Sequence, residues 1–267
     1  MELLSEVFLR YALVSAVLAG GLCAFLGVYV MLKRIVFLGI ALAETAALGV
    51  AIGLLIGLHP VISSFVLTVL VTLLFWIPVR SSSVSRESLI GYVYCLAGAL
   101  SVILIAKNPM AESRGFDIVS GNLLYAGLSD LIIIASVSVF LIVLNMGFLR
   151  KFLFVSFDRE TARAVGMPAT FYDSLLYVSL GIAISVSMRT CGVLFVFGSL
   201  VIPPMAGLLF CRRVWKVFLV SVLVAVISAP VGLVASYYMD LPTAPAIICV
   251  EAGILILMFL LRRFAGR

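Results

Sequence analysis

Long apolar runs follow one another along almost the whole chain, with only short polar segments between them. Each run approaches the ~20 residues that a helix needs to cross a bilayer. A membrane-spanning barrel would instead show segments of ~10 residues that alternate between apolar and polar, which these uniformly apolar runs do not. A hydrophobic fraction of 64% with only 11% charged residues supports the same conclusion. The sequence therefore predicts an all-α, polytopic membrane protein that contacts the lipid bilayer.

The runs divide into about nine predicted transmembrane helices, with eight as the alternative because the first begins close to the N-terminus. They cover residues 11–32, 36–57, 61–79, 89–106, 128–149, 172–188, 192–210, 217–238 and 243–261. No stretch is left for a soluble domain, so residues 1–267 are predicted to form a single transmembrane domain. The segment 107–127 could contribute a re-entrant or surface helix.

The basic residues predict the orientation of the chain in the membrane. Cytoplasmic segments of membrane proteins carry an excess of lysine and arginine. If alternate segments face the cytoplasm, that side holds all of the 18 basic residues except Arg10, Lys107, Arg114 and Arg189. This arrangement places the N-terminus outside, the C-terminus inside, and the segment after the fifth span in the cytoplasm.

Two carboxylates fall near the middle of predicted spans, Glu44 in the second and Glu251 in the ninth. A charge at that depth costs ~3 kcal/mol on insertion scales, so such residues face the protein interior or a water-filled path. Each is therefore a candidate functional residue. The alternative is that each is protonated and hydrogen-bonded to a neighbouring helix.

A short charged segment, SFDRETARAVGMP, occupies residues 156–168 between the fifth and sixth spans. Ser156 and Asp158 can cap the start of a helix, and Gly166 can end it ahead of Pro168. Four residues at helical spacing form a mostly apolar stripe: Phe157, Thr161, Ala164 and Val165. Such a stripe needs a surface to pack against. The alternative is an ordinary polar loop that contains one helical turn.

Several kinds of chemistry lack their sequence signatures. The chain has no Gly-Lys dipeptide and so no P-loop for ATP, and neither HExxH nor GxSxG occurs. Its one histidine, His59, falls in an outer turn, where it could meet a metal but is more often inert. We therefore expect no enzymatic activity, no catalytic residues and no cofactor. The positive net charge reports membrane topology, so no nucleic-acid partner is expected.

Four blocks of the sequence resemble one known family along nearly the whole chain. They are GLCAFLGVYVMLKRIVFLGIALAE, SFDRETARAVGMP, CGVLFVFGSLVIPPMAG and SYYMDLPTAPAIICV. The family is the membrane permease subunit of ABC-type metal ion importers of the zinc and manganese type. The resemblance implies that the predicted transmembrane domain is a permease of a prokaryotic plasma membrane.

The same resemblance implies specific partners. Family members are homodimers whose short cytoplasmic helices dock on separate ABC ATPase subunits, while an extracytoplasmic metal-binding protein delivers the divalent metal, which is the substrate. Helix rearrangement driven by the ATPase then gives alternating access. In this chain the ATPase-coupling residues implied are Phe157, Asp158, Arg159, Glu160, Ala162, Arg163, Ala164 and Gly166.

The chain departs from the family at the metal path. Where family members usually read GDALSHA in the second helix, this chain reads GIALAET, so that Ile40 replaces the aspartate and Glu44 the histidine. Glu251 also stands where a small apolar residue is expected. We therefore predict that Glu44 and Glu251 together hold the metal. An all-oxygen site favours Mn²⁺ over Zn²⁺, with Fe²⁺ intermediate.

Two other classes of function remain open at this point. A self-sufficient carrier or channel could use the intramembrane carboxylates to relay ions or protons without an ATPase. A membrane scaffold would transport nothing. Copurification with an ATP-binding subunit distinguishes the importer from both, and the predicted capped helix at 156–168 favours the importer because a channel does not need it.

Overall fold

A computed structural model describes residues 7–76, 86–107, 123 and 127–265 of the chain. Ten α-helices make up its regular structure, and these residues contain no strand. The helices are α1 (Val7–Leu32), α2 (Val36–Ile56), α3 (Pro60–Trp76), α4 (Arg86–Ala106), α5 (Leu128–Gly147), α6 (Leu149–Phe157), α7 (Arg159–Ala164), α8 (Ala169–Phe210), α9 (Val214–Met239) and α10 (Thr243–Ala265). The predicted all-α class and the polytopic helical architecture are confirmed.

The predicted count of nine spans, or eight, is corrected. Within the described ranges, seven helices are long and apolar enough to cross a bilayer: α1, α2, α4, α5, α8, α9 and α10. The predicted third span corresponds to α3, of which the 17 residues Pro60–Trp76 are described. The predicted sixth and seventh spans form the two parts of the 42-residue α8, which are joined at Gly192. The segment 107–127 lies almost entirely outside the described residues.

α8 bends back on itself at Gly192, whose φ of 83° and ψ of 166° are not helical. A side chain is strained at such a φ, whereas glycine is not. Before this glycine, Asp173 pairs with Lys33, which follows the C-terminal end of α1. After Gly192, α8 runs parallel to α1, since Phe195 lies beside Gly20 and Leu200 lies beside Gly27. The two arms, 169–191 and 193–210, therefore run in opposite directions.

An aromatic cluster attaches the short helix α6 to the bundle. The fully buried ring of Tyr29 on α1 lies 6.0 Å from the ring of Phe152 on α6 and 5.1 Å from that of Phe218 on α9. Edge contacts of this kind favour ring pairs beyond simple burial. The cluster fixes α6, and hence the start of α7, at the end of the bundle where α1 finishes.

Glycines allow α2 and α3 to approach each other closely. A Cβ on Gly49 would lie 2.5 Å from the Cα of Ser64, and one on Gly53 would lie 3.1 Å from the Cα of Pro60. Small residues bring helix backbones together in this way inside membranes. The glycine at the end of this row, Gly57, has a different role, since it ends α2 in a left-handed conformation.

The same packing predicts a destabilised variant on α1. A Cβ on Gly27 would lie 2.2 Å from the carbonyl oxygen of Leu200, so the arm of α8 beside it must shift. We expect Gly27→Ala to lower the free energy of unfolding by about 2 to 3 kcal/mol, as overpacking of a tight core does. Thermal unfolding of the purified chain in detergent measures the effect. Gly21→Ala is the control, because its Cβ would meet Val226 at an ordinary 3.8 Å. Equal melting temperatures for the two variants would contradict this packing.

Candidate functional site

Glu44 projects from the middle of α2 towards α4. Its Oε2 would lie 3.5 Å from a Cβ built on Gly98, so the absence of a side chain at Gly98 gives the carboxylate room. The residue is only partly buried, which distinguishes it from its neighbours on α2, Ala43 and Thr45. Glu44 therefore faces a space between two helices, as expected for an intramembrane carboxylate with a function.

A cavity of about 500 Å³ lies between α2 and α4, beginning one helical turn from Glu44. Ile40 lines its α2 side. Its α4 side carries three polar or reactive groups, Glu87, Tyr94 and Cys95. Oxygen ligands suit hard divalent cations, and a thiolate suits softer ones. The cavity thus forms a partly polar route that leads from the level of Glu44 to the first turn of α4.

These α4 residues were missed in the sequence, although a signal for them exists. Glu87, Gly91, Tyr94 and Gly98 recur at intervals of three or four residues and so share one face of the helix. Only the structure shows that this face is turned towards Glu44.

Glu251 has a different environment. It is 0% exposed, and its Oε1 accepts a hydrogen bond of 2.9 Å from the hydroxyl of Ser199 on the second arm of α8. Its Oε2 has no hydrogen-bond partner among the described residues. Glu251 therefore connects α10 to α8 in the core, whereas Glu44 lies beside Gly98 of α4, one helical turn from the α2–α4 cavity.

The structure does not bring the two predicted metal ligands into one ligand set. Their immediate partners differ, with Gly98 of α4 beside Glu44 and Ser199 of α8 beside Glu251. Across the described part of the chain, no group of three or more His, Cys, Asp or Glu side chains could hold a metal ion. To share a metal ion with Glu44, Glu251 would have to leave its buried position against Ser199. The joint metal site of Glu44 and Glu251 therefore stays a prediction.

The predicted charged segment forms helix α7 between two defined caps. Asp158 is the N-cap residue, and its Oδ1 accepts a hydrogen bond of 2.9 Å from the Thr161 amide. At the other end, Gly166 has a φ of 82°, and the Met167 amide donates to the Ala162 carbonyl. This is the Schellman arrangement that glycine favours after a helix. The predicted start at Asp158 and end at Gly166 agree with the structure.

Ser156 is a correction to that prediction. It lies inside α6 rather than at a helix start, and its hydroxyl has no hydrogen-bond partner among the described residues. α6 continues to Phe157, which leaves Asp158 in the extended conformation that an N-cap requires.

The remaining residues of the segment divide into one inward and several outward side chains. Ala162 is fully buried and packs α7 onto the bundle. Phe157 and Val165 are 62% and 70% exposed, although both are large and apolar. Four further residues of the predicted coupling set complete the surface: Glu160, Arg163, Ala164 and Gly166, all of them exposed. This surface, which we call the α7 face, is exposed to solvent as far as the described residues show.

A buried carboxylate connects α7 to the membrane helices. Asp173 lies on the first arm of α8. Its Oδ2 is 2.9 Å from the Nε of Arg159, the first residue of α7. Its Oδ1 pairs with the ammonium group of Lys33, which joins α1 to α2. Lys33 also lies 5.4 Å from the ring centroid of Tyr177. We call Lys33, Arg159 and Asp173 the charge hub. It connects α7 with α8 and with the α1–α2 junction.

Asp158 also predicts how α7 responds to pH. Hydrogen bonds from the Thr161 hydroxyl and amide hold the pKa of Asp158 below the usual aspartate range. The charged cap therefore stabilises α7 at any pH above that range and is lost only as the pH falls through the lowered pKa. We expect amide hydrogen exchange in α7 of the full chain, corrected for the intrinsic rate, to be constant from about pH 5 to pH 8. Asp158→Ala should accelerate exchange throughout that range. A loss of protection in the native chain between these pH values would contradict the assignment.

The chain is similar in sequence to membrane components of transport systems. The chain is 27% identical over 258 residues to the manganese transport system membrane protein MntC of Halalkalibacterium halodurans, covering 97% of this chain and 88% of that protein. It is 26% identical over 248 residues to the chelated iron transport system membrane protein YfeD of Yersinia pestis, covering 92% and 82%.

A solved structure has the same fold. The structure of PsaBC from Streptococcus pneumoniae in complex with Fab contains a chain that matches with a TM-score of 0.87 and 25% identity. The match covers 96% of this chain and 92% of that one. In addition, residues 5–262 match the sequence profile of the ABC 3 transport family, which is nearly the whole of the protein. The chain therefore belongs to the ABC 3 transport family, as a multi-pass membrane transport subunit rather than a catalytic one.

Proposed function

We propose that this chain is the membrane-spanning permease of an ATP-binding-cassette importer, which moves a divalent metal ion (Mn²⁺, Fe²⁺ or Zn²⁺) inward by alternating access. A separate ATPase subunit on the cytoplasmic side supplies the energy, and two copies of the permease enclose the path. An extracytoplasmic metal-binding protein delivers the ion. Residues 1–267 act as one transmembrane domain in this proposal.

The observation that carries the proposal is the α7 face together with the charge hub. A six-residue helix is too short to be stable alone, yet both of its ends are capped and its inward residue is buried. Its exposed Phe157 and Val165 offer an apolar contact at the end of the bundle that carries Lys33 and Arg159. A helix built in this way can bind a cytoplasmic partner and transmit its movement through Asp173.

The metal substrate is supported by the α2–α4 cavity and by the relatives. Glu87, Tyr94 and Cys95 line the cavity, and the carboxylate of Glu44 lies one helical turn beyond its lining residue Ile40, beside Gly98. The cavity contains no histidine, which favours Mn²⁺ or Fe²⁺ over Zn²⁺. The apolar side chains of α4 are largely exposed in the single chain, for example Tyr92, Val102 and Ile103, so a second copy could enclose this side of the path.

Two experiments test the proposal. The first is uptake of radioactive Mn²⁺ by membranes that contain the permease and its ATPase, with excess Fe²⁺, Zn²⁺ or Mg²⁺ as competitor. We expect Fe²⁺ to compete strongly, Zn²⁺ to compete more weakly and Mg²⁺ not to compete. ATP-dependent uptake that no divalent transition metal reduces would refute the metal assignment.

The second experiment is copurification of the permease with an ABC ATPase subunit from the same organism. We expect the double variant Phe157→Ala/Val165→Ser to lose the ATPase, because the α7 face supplies the contact. Phe264→Ala is the matched control, since Phe264 is also an exposed aromatic residue, near Arg262 and Arg263 at the end of α10. Equal ATPase recovery from both variants would show that the α7 face is not the contact.

A further inference from the structure

An apolar groove lies on the outside of the bundle between α1, α5 and α9. Its volume is about 310 Å³, and its walls include Gly21 and Phe25 of α1, Met146 of α5, and Trp215 and Leu219 of α9. The groove is separate from the α2–α4 cavity, with which it shares no lining residue. Trp215 and Leu219 are more than half exposed, so the groove opens towards the surroundings of the bundle.

The groove extends over only part of the membrane thickness. On α9 it runs from Trp215, in the first turn, to Val226. These eleven steps along a helix correspond to about 16 Å, roughly half of the ~30 Å hydrocarbon core. A helix of a second copy would cross the whole core, whereas one acyl chain of a phospholipid occupies a single leaflet. The length of the groove therefore favours a lipid chain.

Three cations are close in the chain to residues that line the groove at the start of α9. Arg213 and Lys216 lie two positions before and one position after Trp215, and Arg150 lies four positions after Met146, across the junction of α5 and α6. All three cations are exposed, and none forms an ion pair within the described part of the chain. The adjoining residues 144–152 and 211–218 contain no carboxylate. Tryptophan favours the membrane interface, and basic residues at the cytoplasmic face attract anionic headgroups.

We infer that the groove is a binding site for one anionic phospholipid of the cytoplasmic leaflet. One acyl chain lies along α9 between Gly21 and Leu219, and the phosphate group lies between Arg150, Arg213 and Lys216. Positive charge at the mouth and apolar walls inside match the two parts of such a lipid. The site is independent of the transported substrate, because neither Glu44 nor the charge hub contributes to it.

Native mass spectrometry of the purified full chain, titrated with phosphatidylglycerol or with phosphatidylcholine of the same acyl length, tests this site. We expect phosphatidylglycerol to bind at least about tenfold more tightly. Lys216→Gln should weaken the binding of phosphatidylglycerol about fivefold, because one basic residue contributes about that much at an anionic surface. Arg263→Gln removes an exposed cation of α10 near the same end of the bundle, away from the groove, and should leave the affinity unchanged.

A second pair of variants tests the apolar part. Gly21→Leu places a side chain where a Cβ meets only Val222 and Val226 at 3.8 to 4.0 Å, so it should fill the groove and weaken both lipids. Trp215→Ala opens an exposed wall and should weaken binding even if Gly21→Leu fails to fold. Equal affinity for the two lipids, or an equal effect of Lys216→Gln and Arg263→Gln, would overturn the inference. So would a dimer that Gly21→Leu dissociates, since a second copy would then occupy the groove.

Discussion

Glu44→Gln is expected to reduce metal uptake by at least about tenfold while the chain still folds and binds its ATPase. The substitution keeps the size of the side chain and removes the carboxylate that lies beside Gly98 of α4. Loss of a supporting group around a metal already costs 10- to 100-fold, and Glu44 is proposed as a direct ligand. Uptake of radioactive Mn²⁺ in membranes of equal permease content gives the measurement.

Two further variants sharpen this prediction. Glu44→Asp retains a carboxylate on a shorter side chain, so partial uptake is expected. Glu251→Gln tests the predicted pairing: its carboxyl group is fully buried against Ser199, which leads us to expect much smaller losses than for Glu44→Gln. Equal losses for Glu251→Gln and Glu44→Gln would support a shared site, and normal uptake by Glu44→Gln would eliminate Glu44 as a ligand.

Asp173→Asn is expected to separate ATP hydrolysis from transport. The change removes the ion pair of Asp173 with the ammonium group of Lys33, which is only 10% exposed, and its ion pair with Arg159. Breaking a buried ion pair costs 3 to 5 kcal/mol, and we expect about 3 kcal/mol because Arg159 is partly exposed. With the hub broken, movement of α7 no longer reaches α8, so the number of metal ions moved per ATP should fall several-fold.

The control for this variant lies at the opposite end of the bundle. Asp130, near the start of α5, pairs with Arg189 at 3.3 Å. Asp130→Asn removes a comparable charge pair that has no contact with α7, so it should change stability without changing the ratio of transport to ATP hydrolysis. An equal change of that ratio in both variants would show that the loss comes from general destabilisation rather than from the charge hub.

Features encoded by neighbouring residues could be predicted from the sequence. The caps of α7 depend on Asp158, Thr161 and Gly166, all within nine positions, and they were located correctly. The helical class follows from apolar runs alone, since a lipid environment leaves few other ways to satisfy the backbone.

Features that depend on distant residues could not be predicted. The charge hub joins Lys33 to Asp173 across 140 positions, and no local pattern indicates that pair. Asp173 reads in the sequence as an ordinary polar residue near the start of a span. The mid-span position of Glu251 predicted either a metal ligand or a hydrogen bond to a neighbouring helix, but the sequence did not identify its partner, the hydroxyl of Ser199 52 positions away. By contrast, Arg189 and Thr190 precede Gly192 in the sequence, and they had marked the boundary between the predicted sixth and seventh spans that became the two arms of α8.

The central claim is that an external ATPase, acting through α7, drives metal through this chain. Uptake of Mn²⁺ into liposomes that contain the purified permease, with the ATPase added and ATP supplied at the face that carries α7, tests this claim most directly. We predict that uptake requires both ATP and the ATPase and is lost in the variant Phe157→Ala/Val165→Ser. Uptake driven by an ion or proton gradient alone, at the same rate without ATPase, would contradict the claim and identify the chain as a self-sufficient carrier.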